Sequence, residues 1–268
     1  MTTPKEVIHT QIWEETAEPD NPFAAAACRC RGYDVYGDLL HNASFVEYLY
    51  LLLIGERPTQ AQASLLERLA IALANPGPRE PSVHAAMCAG VGGSPAAAML
   101  MAALGVGAGN LGGGHEVRVA LEAWEQLGCN VSAWQSFLSD LPQPKRADIW
   151  PPMEHAPGFD PHGTRCTTPV LQTLETLAAI GTGQHLSWLA LQRPTLEAAA
   201  GVPLAMSGVA AAACRDLELG AEQGEMLYLL LRLPGAAAHA LEQKQLGFKR
   251  FPFFHGAVKY TGPGADND

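Results

Sequence analysis

Apolar residues recur three and four positions apart through long windows of this chain, and Gly or Pro separates each window from the next. Beta-branched residues neither cluster nor alternate, whereas Ala, Leu, Glu and Gln fill the windows, so the pattern predicts an all-α protein. Ser44 caps a predicted helix that carries Phe45, Tyr48, Leu49, Leu52 and Leu53 and stops at Gly55. Thr59 caps the next, with Leu65, Leu66, Leu69 and Leu73, ahead of the breaker Asn75-Pro76-Gly77-Pro78. Ser82 is the predicted cap of a helix running toward Gly90, and Pro95 opens one that runs to about Gly107. His115 opens a further helix, with Glu116 in its first turn and Val119, Leu121 and Trp124 as core positions. Helices resume over residues 169–181, 187–192, 195–200, 207–217 and 222–245, while residues 1–30 are expected to form a loose polar arm.

Two stretches depart from this grammar. Gly105–Gly114 holds six glycines in ten residues, too many for a helix interior, and predicts a loop of exposed backbone. It serves either close packing between helices or the delivery of a helix N-terminus to an acyl or anionic ligand. No strand precedes it, so a dinucleotide or phosphate loop lacks its required setting. Leu141–Pro169 contains seven prolines and reads as a long loop around His155, Gly158-Phe159-Asp160-Pro161-His162 and Arg165.

Charge narrows the partners. Seventeen Lys plus Arg against twenty-seven Asp plus Glu give a net charge of −10, which argues against a nucleic-acid surface. The apolar run Tyr48–Ile54 is too short to span a bilayer, and Met1–Asp20 has no apolar signal core, so no membrane contact and a cytoplasmic location are expected. Six sparse cysteines fit reduced, packed thiols. His84 with Cys88, and His155 with His162 and Cys166, lack recognised zinc spacing, so no metal is expected. Against the overall charge, Gln243–Tyr260 carries Lys244, Lys249, Arg250 and Lys259 and no acid, which favours an anionic partner. Arg232 lies upstream in an otherwise apolar helix, and burial there would require a carboxylate, from the protein or from a ligand.

Arg31-Gly-Tyr-Asp34, the run Ser44–Thr59, the Gly112-Gly113-Gly114 loop, Gly158-Phe159, Arg232-Leu-Pro-Gly-Ala-Ala-Ala-His-Ala-Leu-Glu242 and Tyr260-Thr-Gly262 resemble, in that order, the citrate synthase superfamily. The likeness is strongest to short bacterial citryl-CoA lyase-type members and to the C-terminal module of ATP citrate lyase. It implies an all-helical homodimer with a large helical domain (residues 1–115 and 216–268) and a small domain on the coenzyme A side (residues 116–215), its active sites completed across the dimer. It also implies a coenzyme A thioester as substrate, with Claisen or retro-Claisen chemistry run by two histidines and an aspartate.

This sequence differs from the family at all three positions. The enol-stabilising histidine falls on Leu111 in Leu111-Gly-Gly-Gly-His-Glu116. The carbonyl-polarising histidine falls on Asp160, Pro161 or a displaced His162, and the general-base aspartate on Ser207 in Pro203-Leu-Ala-Met-Ser-Gly208. Pro76 stands where the family has a histidine that contacts oxaloacetate. The two carboxylate-binding arginines are retained as Arg232 and Arg250, expected to converge on one anion from different subunits, with Arg165 a further candidate. Serine cannot abstract a proton near neutral pH without an adjacent base. The candidate acid–base groups are therefore His115 and His162, with Ser207 and Asp160 beside them. His115 gains from its place at a helix N-terminus, where the dipole favours neutral imidazole. Two functions follow: a carbon–carbon lyase or acyltransferase on a 3-hydroxyacyl-CoA, or a silent homologue that binds coenzyme A or a carboxylate and serves an active paralogue as partner.

Overall fold

In the computed structural model, which describes residues 8–140 and 155–251, the capping residues set the helix ends. Helix α2 (Phe45–Ile54) starts at Ser44, whose hydroxyl accepts from the Glu47 N–H while the Glu47 carboxylate accepts from the Ser44 N–H. It ends at Gly55, held at φ 99°, a left-handed turn that glycine enters without a Cβ clash. Thr59 and Gln62 build the same reciprocal cap on α3 (Gln60–Leu73). Ahead of these lies the short α1 (Leu40–Asn42). There follow α4 (Pro81–Val91), α5 (Ala96–Gly107), α6 (Gly114–Leu127), α7 (Val131–Ser139), α8 (Thr168–Ala178), α9 (His185–Ala200), α10 (Met206–Asp216) and α11 (Ala221–Leu246).

Several expectations are corrected. Residues 13–34 are a three-stranded antiparallel sheet rather than a loose arm: β1 (Trp13–Glu18), β2 (Asn21–Cys30) and β3 (Tyr33–Asp34), with Trp13 opposite Cys30 and Arg29 opposite Asp34. All six β1 residues are exposed, so burial imposed no alternation on the sequence and backbone pairing alone defines the strand. Glu80, not Ser82, caps α4, with Pro81 as its first residue. Gly105 and Gly107 belong to the last turns of α5. Helix α9 continues through Pro194 where two helices were expected. Helix α7, capped by the Asn130 side chain and anchored by Trp134 and Leu138, was not foreseen.

The described residues form two compact units, 8–73 with 108–140 and 155–231, and 74–107 with 232–251. These contacts divide the chain differently from the segments 1–115, 116–215 and 216–268. In the first unit, Leu65, Leu66 and Leu69 of α3 join Val117, Leu121 and Trp124 of α6 and the fully buried Ala210–Ala213 run of α10 in one core. Rows of alanine let helices approach closely, and Gly224 of α11 leaves room for Leu121, whose Cδ1 would lie 2.2 Å from a Cβ there. Trp124 packs edge-on against Trp134, His185 and Trp188. Asp216, at the end of α10, accepts from the backbone N–H groups of His185 and Leu186 and pairs with the His185 ring at 2.8 Å. In the second unit, Val83 and Ala86 of α4, Met99 and Ala103 of α5, and Ala236 and Ala240 of α11 form a smaller core. A Cβ on Gly90 would stand 2.5 Å from the Ala240 carbonyl, so that residue has to be glycine for α4 and α11 to meet. No helix among the described residues is long and apolar enough to cross a membrane.

Burial pushes the Cys214 thiol up from an ordinary 9.0 to about 12. Burial, with Glu218 and Glu56 nearby, also pushes the Tyr50 phenol up from 10.0 to about 12. Both raised groups hold their protons longer folded than unfolded, so their contribution is complete below the unfolded values and lost as pH rises through 9 to 12. Urea midpoints should fall across that alkaline window, and Cys214→Ala should flatten the lower part of the fall. A midpoint independent of pH there would contradict this burial.

Candidate functional site

Glu116, third residue of α6 in the first unit, is buried to 1% exposure. Its position follows from the glycines before it. Gly112 turns at φ 64°, and Gly113 precedes the helix as an N-cap with no side chain to cap it. Glu116 therefore reaches back over the first turn, and its Oε2 accepts from the Gly112 N–H at 2.5 Å. The Gly112 carbonyl accepts from the Tyr228 hydroxyl at 2.9 Å, so Gly112 is held through both of its flanking peptides.

The second oxygen gathers two more segments. Glu116 Oε1 accepts from the Gly158 N–H at 2.8 Å and from the Ser207 hydroxyl at 2.7 Å. Those segments also pair with each other: Phe159 bridges to Leu204, Ala205 N–H donates to the Gly158 carbonyl at 2.9 Å, and Asp160 N–H donates to the Pro203 carbonyl at 2.8 Å. Gly158 has φ 86°, and a Cβ there would lie 2.8 Å from the Gly208 Cα, so two glycines meet back to back beneath the site. His155 Nε2, buried and without a hydrogen bond among the described residues, lies 3.6 Å from Glu116 Oε2.

Three segments singled out in the sequence, Gly112–Glu116, Gly158–Phe159 and Pro203–Gly208, thus meet on one carboxylate. Ser207 is buried against it, so the adjacent base that a serine requires is present. Leu111 is 51% exposed beside the loop. Gly113 and Gly114 lie buried at the start of α6, where the Gly114 position closely faces the Leu229 side chain. His115 is half-buried at the second residue of α6, its N–H donating to the Ala108 carbonyl at 3.3 Å. Asp160 turns the chain by accepting from the His162 N–H at 2.9 Å, which leaves His162 and Arg165 exposed. Arg232 lies in the second unit, buried and paired with Glu80. Arg250 is exposed on the turn Phe248–Arg250 of that unit. Pro76 sits in a turn where Gly77 N–H donates to the Asn75 side chain. The tail beyond residue 251, with Lys259 and Tyr260-Thr-Gly262, lies outside the described residues.

The sequence reading missed Glu116 as the centre of the site, and Glu80 as the partner of Arg232. The available signal was an acid at the third position of a helix that follows a glycine loop, which suits the helix dipole equally well from an exposed position. Among the described residues no three His, Cys, Asp or Glu side chains gather into a metal site.

No protein-family profile matches the chain, and no curated protein matches it in sequence. Solved structures do. The citryl-CoA lyase of Hydrogenobacter thermophilus superposes with a TM-score of 0.73 at 20% identity, over 96% of this chain and 95% of that one. The chain has the citrate synthase fold. ATP citrate lyase of Methanothrix soehngenii, solved with citrate and coenzyme A, matches with a TM-score of 0.74 at 18% identity; 98% of this chain covers 43% of that protein. Citrate synthase of Thermoplasma acidophilum matches with a TM-score of 0.61 at 14% identity, over 84% of this chain and 59% of its own. Within this citrate synthase fold, Gly158 is the tightest point of the Glu116 site. Gly158→Ala should destabilise the protein by roughly 2–5 kcal/mol, from a left-handed φ and an overpacked contact. A urea midpoint unchanged in that variant would show the contact with Gly208 to be loose.

Proposed function

We propose that this protein is a carbon–carbon lyase or acyltransferase acting on a 3-hydroxyacyl-CoA in the retro-Claisen sense, with coenzyme A thioester as substrate. The observation that carries this reading is the 2.7 Å hydrogen bond from the Ser207 hydroxyl to the buried Glu116 carboxylate. It supplies, at the position where the family has its base, the proton acceptor that serine alone lacks. The fold shared with citryl-CoA lyase and ATP citrate lyase, the latter solved with coenzyme A, supports the substrate class.

In the cleavage direction, Ser207 Oγ takes the proton of the substrate 3-hydroxyl while passing its own proton to Glu116 Oε1. The C3–O bond becomes a carbonyl and the C2–C3 bond breaks. Its electron pair goes to the thioester enolate, which takes up a proton at C2. This needs less of the base than condensation, because bond breaking generates the enolate and the base removes only a hydroxyl proton. Gly112 and Gly158, whose N–H groups hold Glu116, fix the carboxylate against Ser207. His115, at the N-terminal end of α6, is the candidate for returning the proton to the enolate, and His162 is the second candidate. A homodimer in the cytoplasm, with Arg232 and Arg250 as candidates for binding an anionic group, completes the proposal.

A second reading rests on Leu111. An exposed leucine at the enol-stabilising position can neither donate nor accept a proton, which favours a protein that binds a coenzyme A ester or a carboxylate without turnover, as the partner of an active paralogue.

Incubating the purified protein with a panel of 3-hydroxyacyl-CoA esters and following acetyl-CoA release distinguishes the two. Under the lyase reading, Ser207→Ala and Glu116→Gln each lower turnover by the ~10²–10⁴-fold typical of general-base loss. The double variant should be no worse than either, because the two act as a unit. Full turnover in Ser207→Ala would remove the relay. Binding without turnover in the wild type would establish the second reading.

A further inference from the structure

The relay through Ser207 and Glu116 leaves His155 unused. Its side chain is 10% exposed, and its Nε2 is enclosed without a hydrogen bond among the described residues. A buried ring nitrogen in that condition calls for an explanation. A rigid turn sets its position. Pro157 and Gly158 are the central residues of the turn Ala156–Phe159, closed by the bond from the Phe159 N–H to the Ala156 carbonyl at 3.1 Å, and Gly158 has the positive φ of 86° that a type II turn requires at its third residue. His155 enters this turn. The Gly158 N–H holds one oxygen of Glu116, and the His155 ring comes to the other, its Nε2 3.6 Å from Oε2. The two oxygens are unequally served. Among the described residues, Oε1 accepts from the Gly158 N–H and the Ser207 hydroxyl, whereas Oε2 accepts from the Gly112 N–H. A carboxylate oxygen has two lone pairs, so Oε2 has room for one more donor, and His155 stands there.

We propose that His155 is a positioning residue for the relay, and that its charge decides how strongly Glu116 draws the Ser207 proton. This rests on the lyase reading given above. Protonated, the ring is a charged donor facing Oε2, and a cation beside a carboxylate favours the ionised form. Glu116 then receives the Ser207 proton less readily. Neutral, the ring leaves the carboxylate its full strength as acceptor. Imidazole changes charge between pH 5 and 8, so the relay slows as pH falls through that range. The neighbouring groups have other partners: Ser207 of α10 lies on Oε1, the Tyr228 hydroxyl of α11 donates to the Gly112 carbonyl, and Asp160 of the same loop accepts from the His162 N–H. No other carboxylate among the described residues pairs with the His155 ring.

Turnover of a 3-hydroxyacyl-CoA ester by the whole chain, followed from pH 5 to 9, tests it. The wild-type rate should fall on the acid side by up to about tenfold per pH unit, the slope of a single protonation. His155→Gln and His155→Asn, whose amides acquire no charge, should lose this acid limb and keep the alkaline limb, which belongs to the group that returns the proton to the enolate. A side chain with a packing role alone would scale the rate alike at every pH, and circular dichroism checks that each variant folds. A second measurement needs no turnover. The ring signals of His155, assigned by their loss in His155→Gln, are followed by NMR over the same range in the wild type and in Glu116→Gln, and two different titration curves are expected. An acid limb kept in a folded His155→Gln, or identical ring titrations, would overturn the role of His155 and leave the lyase reading standing. A wild type that turns over no ester, yet gives different ring titrations, would remove the lyase reading and uphold the pairing of His155 with Glu116.

Discussion

A carboxylate with 1% of its surface exposed cannot remain in a helical core without donors for its oxygens, and the site depends on how Glu116 meets that requirement. Its donors come from the glycine turn just ahead of its own helix, from Gly158 and from Ser207, which lies 91 residues away. Each such bond to a charged acceptor is worth about 1.5–3 kcal/mol, and leaving one unmade inside the core costs a comparable amount. The three segments are therefore fastened to one point, and misplacing any of them leaves a buried charge short of a partner. Glu116 positions the turn, the bridge and the serine together, while the apolar core only brings them near one another.

Small residues make that convergence geometrically possible. The Phe159–Leu204 bridge brings Gly158 against Gly208, and any side chain at either would force the strands of the bridge apart and lift the Gly158 N–H from Glu116. Immediately beyond, Ala210–Ala213 are fully buried, so α10 begins at Met206 and enters the core without bulk on any side. Ser207 is the polar residue at the mouth of this apolar helix. Its hydroxyl is directed at Glu116 by the 2.7 Å hydrogen bond to that carboxylate.

What the sequence disclosed follows the same division between local and long-range causes. Ser44, Glu47, Thr59 and Gln62 act within one turn of their own helices, so the capping residues Ser44 and Thr59 were enough to place the starts of α2 and α3. The strands of residues 13–34 left no trace in hydrophobic patterning because every β1 side chain faces solvent. Pro194 reads as a break, yet α9 is anchored on both sides of it by buried Leu189 and Leu196, and tertiary packing overrides the local penalty. At the site, the motifs around Gly112, Gly158 and Ser207 were visible one by one. Glu116 as their meeting point was not, since burial is decided by residues far off in the chain. Arg232 shows how far the argument could go: burial required a carboxylate, but Glu80 could not be picked out from the other acids by spacing.

Glu80 and Glu116 differ in what their partners leave them able to do. Glu80 faces a guanidinium, so the positive charge beside it cancels its own, and it serves as a fixed counter-ion and helix cap. Glu116 accepts hydrogen bonds from backbone N–H groups and a hydroxyl, which stabilise negative charge as dipoles, and the His155 ring lies 3.6 Å from its Oε2. Of those donors, only the hydroxyl has a proton that can cross to the carboxylate and be replaced from a substrate on its other side, since an amide N–H is far too weak an acid. A carboxylate built this way is suited to receive a proton through Ser207, whereas an aspartate at that position would bring a second carboxylate within hydrogen-bonding distance of Glu116. With Glu116 fully buried, two carboxylates there would repel unless one were protonated. Serine avoids that repulsion, because its hydroxyl donates to Glu116 and adds no charge of its own.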